Sequence, residues 1–280
     1  MNINWYPGHM KKTKESIKKN LQLVDIIYEL LDARIPISSE NPDIDSIVGD
    51  KPRIVILNKS DLSSHEGNMK WQQYYQNKGI SSVLVDSLNN RGLNEVINIS
   101  NELMKEKKLK LEKKGIKNKP IRAMIVGIPN VGKSTLINSL SGRKGAKTGN
   151  RPGITKGNQW IKLKGNLELL DTPGILWPKF EDESVGLNLA FTGAIKDELL
   201  DIESLAFKLV ERLVETYPQF LEDRYNINVH EKTTYEIVEN IAQNRGCIGK
   251  GQEIDFTKVS NIIIDDFRKG RIGRITLELP

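Results

Sequence analysis

The chain has one cysteine, Cys247, among 280 residues, so no disulfide framework can hold it together. That excludes the stapled scaffolds of small secreted domains and fits a reducing cytosol. Also missing is any run of about 18 apolar residues of the kind that crosses a bilayer as a helix. The opening Met1-Asn2-Ile3-Asn4-Trp5 lacks the basic-then-apolar pattern of a secretory signal. These absences point to a cytoplasmic protein without a membrane partner. Internal repeats are absent too, and nothing suggests a coiled coil or a large exposed apolar face, which points to a monomer.

What is present is a globular composition, 38% hydrophobic and 28% charged, in a chain longer than one usual domain and shorter than three. The formal charge of +6 is unevenly spread. Residues 1–20 carry a net +4, residues 105–119 a net +6 and residues 143–164 a net +7, whereas residues 178–240 carry −8. Such basic stretches suit phosphate-rich partners, although a single lysine run is more often a solvated helix face.

Short apolar runs at 21–31, 53–57 and 83–85 read as buried strands of a parallel sheet. A helix is expected at 69–77 and another at 94–111, running into a lysine-rich connector that ends at Pro120. The strand pattern resumes at 121–126 and 167–170, with a helix at 133–140 between them. This alternation predicts a doubly wound, mostly parallel α/β sheet. After Pro178 the pattern turns acid-rich and helical, with helices expected at 185–221, 231–244 and 256–269 and a short extended tail at 272–279. The expected domains are 1–178 and 179–280, the second small and all-helical.

The strongest chemical signal is Gly127-Ile128-Pro129-Asn130-Val131-Gly132-Lys133-Ser134, a complete G-x-x-x-x-G-K-S between a strand and a helix. Backbone N–H groups of such a loop wrap phosphate oxygens at the positive end of the helix dipole. Asn130, Val131, Gly132, Lys133, Ser134 and Thr135 are therefore expected at the phosphates of GTP or GDP. Lys133 would reach the β and γ phosphates and Ser134 the Mg²⁺.

Asn58-Lys59-Ser60-Asp61 follows the strand at 53–57, at the end where α/β sheets bind ligands. The Asp61 carboxylate can accept from guanine N1–H and its exocyclic amine, a pattern adenine does not offer. Asn58 and Lys59 would brace the loop and cover the base. Asp86-Ser87 stands where GTPases usually place Ser-Ala to support the base. Asp171-Thr172-Pro173-Gly174 matches D-x-x-G, in which the aspartate orients Mg²⁺ through water and the Gly174 N–H senses the γ-phosphate. Thr155, in Arg151-Pro152-Gly153-Ile154-Thr155, is the candidate switch threonine and Mg²⁺ ligand.

The base-reading motif thus precedes the phosphate loop, the reverse of an ordinary small GTPase, and the predicted fold is a circularly permuted P-loop GTPase domain. A permuted domain keeps its sheet when its original ends lie close together. The chain passes from the γ-phosphate-sensing loop almost directly into the helical segment, which would let hydrolysis reposition the C-terminal domain.

Taken with Trp5-Tyr6-Pro7-Gly8-His9-Met10, Asp32-Ala33-Arg34-Ile35-Pro36 and the continuation Ile175-Leu176-Trp177-Pro178, these motifs resemble the circularly permuted ribosome-assembly GTPases over essentially the full chain. The resemblance implies a factor acting late in maturation of the large (50S) subunit. It would contact rRNA and ribosomal proteins, with GTP hydrolysis stimulated by the subunit and driving release. A different reading is a GTP-gated RNA-binding placement factor in which hydrolysis only serves release. Ile175 occupies the position where Ras-like enzymes carry the water-orienting glutamine, and an aliphatic side chain cannot do that work. The resemblance points instead to His9 as the residue that positions water once docked. It also matches Asn130 to relatives whose P-loop asparagine helps hold K⁺. Arg245, Lys250, Arg268, Lys269, Arg271 and Arg274 are candidates for RNA phosphates, with no aromatic signature of base readout beside them.

Overall fold

A computed structural model describes residues 20–142, 159–171 and 182–280. His9, Thr155 and Gly174 lie outside the described residues. Two compact units are present: one is Asp182–Ile275, and the other holds the described residues up to 171 and also Thr276–Pro280.

The larger unit is built on six strands, β1 (Ile26–Asp32), β2 (Arg53–Asn58), β3 (Ser81–Val85), β4 (Ile121–Gly127), β5 (Gln159–Leu163) and β6 (Leu167–Asp171). Every residue of β1 is buried, as a near-continuous apolar run requires when both faces of a parallel sheet are covered. The strand order is β3-β2-β1-β4-β6-β5. All neighbours are parallel except β5 and β6. From β1 the chain steps outward to β2 and β3, then returns to lay β4 on the other side of β1. The order therefore reverses between β1 and β4, and the crevice at their carboxyl ends is where such sheets bind ligands.

The connecting helices are α1 (Pro36–Ser39), α2 (Ile44–Val48), α3 (His65–Asn77), α4 (Leu93–Leu103), α5 (Lys105–Lys113) and α6 (Lys133–Ser141). The Ser64 side chain caps α3 by accepting from Gly67 N at 3.1 Å. Helix α3 starts at His65, ahead of the expected 69, and three larger departures from the sequence reading follow. The strand expected from Leu21 begins at Ile26, because Leu23 N donates to Asn20 O at 2.9 Å and closes a helical turn first. The single helix expected at 94–111 is two, broken at Met104, whose backbone (φ −95°, ψ 3°) leaves helical geometry while its side chain is buried. Strand β5 was not expected at all: it is an edge strand, paired with β6 alone.

Residues 276–280 return to this unit as a strap. Thr276 Oγ1 accepts from Ser64 N at 3.0 Å, and Leu277 N donates to Arg34 O at 2.8 Å. Glu278 accepts from Ser38 N at 3.0 Å, while its own carbonyl accepts from Trp71 Nε1 at 2.9 Å.

The second unit contains α7 (Glu183–Phe191), α8 (Ile202–Thr216), α9 (Pro218–Tyr225), α10 (Thr234–Asn244) and α11 (Phe256–Arg268). The stretch expected as one helix from 185 to 221 is thus three helices, interrupted by a 3₁₀ turn at Asp197–Leu199 and restarted at Pro218. Asp182, Asp201, Thr233 and Asp255 cap α7, α8, α10 and α11, and Thr233 with Glu236 forms a complete capping box. Helix α8 is central, burying Leu205, Ala206, Leu209, Val210 and Leu213 against the helices around it.

Candidate nucleotide site

Three strands deliver the site. Asp32 ends β1 level with Asn58, which ends β2, and Gly127 ends β4 level with Leu30 of β1. The phosphate loop continues from Gly127 into α6, whose first residue is Lys133. Gly132 caps that helix at φ +103°, and a Cβ there would lie 2.3 Å from Asn58 Nδ2. Glycine is therefore required at this position twice over, by backbone conformation and by the approach of the neighbouring loop.

The two sequence-predicted motifs are bonded to each other. Asn58 Nδ2 donates to Val131 O at 2.8 Å, and Lys59 Nζ donates to Asn130 O at 2.9 Å. Asn58 Oδ1 accepts from Ser87 Oγ at 2.7 Å and from Ser87 N at 3.3 Å, which brings in the loop after β3. Asp86 is buried and accepts from Asn89 N at 3.0 Å and Asn89 Nδ2 at 2.7 Å, so its carboxylate holds the turn. Ser139 Oγ of α6 donates to Ser87 O at 2.7 Å. Asn58, Lys59, Asp86, Ser87 and the phosphate loop thus form one hydrogen-bonded assembly. Lys133 Nζ donates to Gly127 O at 3.0 Å and Ile128 O at 2.7 Å, at the mouth of the loop. Ser134 and Thr135 are half-buried in the first turn of α6, and the Ser134 hydroxyl has no partner among the described residues.

Sequence reasoning assigned no role to Asp32 and Arg34 beyond a motif. Asp32 is buried, and its two oxygens accept from Arg34 Nε at 2.9 Å, Arg34 Nη2 at 2.8 Å, Arg34 N at 3.1 Å and Lys59 Nζ at 2.9 Å. Burial alone would push this carboxyl up, but the Arg34 guanidinium and Lys59 ammonium hold it well below the usual carboxylate range. The signal that could have found Asp32 is its place, a polar residue ending an apolar strand, as Asn58 and Asp171 also do. Ser139 and Leu88 were missed as well; Leu88 follows Ser87 and is 78% exposed, an unusual place for a leucine.

The C-terminal cations are largely engaged inside the helical unit. Arg268 donates to both oxygens of Asp197 at 2.8 Å and to the carbonyls of Phe191 at 3.0 Å and Ala190 at 2.8 Å. Lys269 pairs with Asp265 at 2.8 Å, and Arg271 reaches Asp265 at 3.2 Å and Asp266 at 3.0 Å. Arg245 donates to Arg224 O at 2.9 Å and stacks 5.2 Å from the Tyr225 ring centre. Lys250 begins a 3₁₀ turn, Lys250–Gln252, and Arg274 is exposed.

A mostly parallel sheet with a G-x-x-x-x-G-K-S loop at its switch point, joined by Asn58 and Lys59 to an N-K-x-D loop, defines a P-loop GTPase. The ribosome biogenesis GTPase A of Bacillus licheniformis is 48% identical over 280 residues, covering 100% of this chain and 99% of the relative. The chain belongs to the ribosome biogenesis GTPase A family. The protein of that name from Thermotoga maritima is 31% identical over 278 residues, with 99% and 95% covered. Residues 122–240 match the family model described as 50S ribosome-binding GTPase, which begins on the strand before the phosphate loop, after Asn58–Asp61 has passed. Among solved structures, GDP-bound YlqF of T. maritima superposes with a TM-score of 0.68 at 26% identity, covering 95% of this chain and 99% of that one. The GNP-bound form gives 0.64 at 27% identity, with 96% and 98% covered.

Proposed function

We propose that this GTPase binds rRNA and assists a late step of large-subunit assembly, with hydrolysis stimulated by the subunit and driving release. The observation that carries the nucleotide half of this reading is the direct bonding of the Asn58–Lys59 loop to Asn130 and Val131, which makes base binding and phosphate binding one event. The ribosomal half is supported by the names of the relatives and of the matching family model.

In this reading Asp61 accepts from guanine N1–H and the exocyclic amine, Lys59 covers the base, and Asp86 and Ser87 shape the wall behind it. The backbone N–H groups from Asn130 to Thr135 hold phosphate oxygens at the amino end of α6. Lys133 turns from its carbonyl partners to the β and γ phosphates. The donor set suits Mg²⁺, a hard cation that prefers oxygen. Ser134 offers a half-buried hydroxyl without a partner among the described residues, and Asp171 ends the strand beside β4, with Thr155 completing the set. When bound, the ion would neutralise charge developing on the transferred phosphoryl group. His9 orients the attacking water, Gly174 N–H senses the γ-phosphate, and Asn130 contributes to a K⁺ position. Lys250 and the exposed Arg274, with the partly engaged Arg245, Arg268, Lys269 and Arg271, belong to the RNA-contacting helical unit.

The test is GTP hydrolysis by wild type and His9→Ala, each with and without purified large subunits, in K⁺ and in Na⁺ buffer. Stimulation by subunits that the variant loses while still binding nucleotide is the expected result. No stimulation by mature or immature subunits would remove the ribosomal assignment. A His9→Ala chain that still matures subunits while trapped on them would favour the placement-factor reading.

A further inference from the structure

We propose that the outward side of α5, continued by the connector to Lys119, docks on the sugar-phosphate backbone of an RNA double helix. The choice of RNA as the polyanion rests on the ribosomal reading above; the existence of the anion-binding face rests on the geometry alone.

Helix α5 buries no residue. Lys108 and Leu111 are half-buried, and Lys107 and Lys108 are tied to Asp25 and to Asn101 Oδ1, so these positions mark the side turned toward the rest of the unit. At about 100° per residue, Lys105, Lys110 and Lys113 fall on the opposite side. The side chains of Lys105, Lys110, Lys113, Lys114, Lys117 and Lys119 make no hydrogen bond or ion pair with any described residue, and all six residues are exposed. Even Glu106, four residues before Lys110, is not paired with it among the described residues.

Like charges three and four residues apart destabilise a helix, and this one has no buried face to offset the cost. The contrast with the helical unit is decisive. There Arg268, Lys269 and Arg271 each face a carboxylate within 3.2 Å, whereas on α5 and its connector only Lys107 is paired with one among the described residues, and the six outward lysines are not. A polyanion supplies what the fold leaves out. A lipid surface fits poorly, because the exposed apolar side chains here, Leu103, Leu109 and Ile116, are isolated and form no stripe. Single-stranded RNA fits poorly too, since residues 103–119 contain no aromatic ring on which a base could stack. Phosphate contact on an A-form duplex needs neither.

The test measures binding of the full chain to a mixed-sequence RNA duplex of about 20 base pairs across a salt series, long enough for a module that recognises duplex shape. The variant Lys105→Gln/Lys110→Gln/Lys113→Gln/Lys117→Gln is compared with Lys70→Gln/Lys162→Gln/Lys196→Gln/Lys232→Gln, which loses the same charge elsewhere. The first variant should lower the slope of log affinity against log salt by about three to four, with at least a tenfold loss of affinity at low salt. The second should leave the slope near wild type, and both should bind GDP as wild type does. Equal slopes in the two variants, or tighter binding to phosphatidylglycerol vesicles than to the duplex, would overturn the proposal. A wild type that ignores the duplex but sediments with large subunits overturns this inference and leaves the ribosomal reading standing. Duplex binding through α5 without stimulation by subunits does the reverse.

Discussion

Lys59 Nζ lies 2.9 Å from Asp32 Oδ2 and 2.9 Å from Asn130 O, so one ammonium group joins the ends of β1, β2 and the phosphate loop. Asp32 is its buried counter-charge. Replacing Asp32 with alanine takes this carboxylate from both Arg34 and Lys59, and losing one partner of a buried ion pair costs about 3–5 kcal/mol. Urea unfolding of Asp32→Ala should show a loss in that range, and guanine-nucleotide affinity should fall with it. An unchanged midpoint would mean that water replaces the carboxylate.

Asp61→Asn exchanges a two-oxygen acceptor for a side chain with one acceptor and one donor. Guanine presents two donors to this position, so GTP affinity should drop by about two orders of magnitude, the loss of one or two hydrogen bonds to a charged group. Xanthine carries a carbonyl where guanine has its amine, and XTP should bind the variant better than GTP does. Competition of both nucleotides against a fluorescent GDP reads the outcome.

Gly132→Ala places a methyl group against Asn58 Nδ2, whereas Gly142→Ala at φ +66° meets only Lys164 Cε at an ordinary 3.6 Å. Both share the strain of positive φ, about 1–3 kcal/mol. Only the first should separate the two loops, with at least a tenfold weaker nucleotide affinity, about 1.4 kcal/mol or more. Equal effects would show that backbone strain alone decides.

Much of this arrangement was legible in the sequence. The strands were found because buried parallel strands leave uninterrupted apolar runs, as Ile54 to Leu57 do, and the phosphate loop because its glycines are spaced by chemistry. Three things were hidden for physical reasons. Strand β5, Gln159-Trp160-Ile161-Lys162-Leu163, sets two apolar residues side by side and so lacks a period-two pattern, and its identity comes from hydrogen bonds to β6 that no local pattern encodes. The break at Met104 is a change of direction between two stretches that each look helical on their own. The engagement of Arg268 depends on Asp197, 71 residues away, so a patch that reads as free cations is largely internal structure.

Glu29 lies in the middle of β1, buried, with Arg53 Nη1 3.1 Å from its Oε2 but neither atom satisfied as a hydrogen bond. Burial therefore prevails over the Arg53 charge, with Glu40 and Asp45 adding repulsion, and the carboxyl is pushed up to about 8. An acid that holds its proton in the folded state but loses it near the ordinary 4.5 when unfolded lowers stability as pH rises between those values. Its contribution falls by about 1.4 kcal/mol per pH unit in that window and levels off above it. Glu29→Gln should flatten the stability profile from pH 5 to about pH 8 and be the more stable form at the alkaline end, which denaturant titrations at several pH values will read.

Glu278→Ala removes the acceptor for the buried Ser38 N–H and hydroxyl. A loss of about 1–3 kcal/mol is expected for the unsatisfied group. Truncation at Ile275 should go further, leaving Trp71 Nε1 without its carbonyl and shifting tryptophan emission to longer wavelength.

The strap also sets an order of events. Ser38 and Glu278 are 240 residues apart, so the contact between them closes a loop containing most of the chain. During synthesis the early strands emerge and can pair long before residues 276–280 exist. The nucleotide-binding unit therefore waits for the whole helical unit to be translated before its last contacts form. Until then α1 and α3 stand without the strap, and the nascent protein spends its elongation time with Trp71 uncovered, the interval in which a chaperone has a surface to hold.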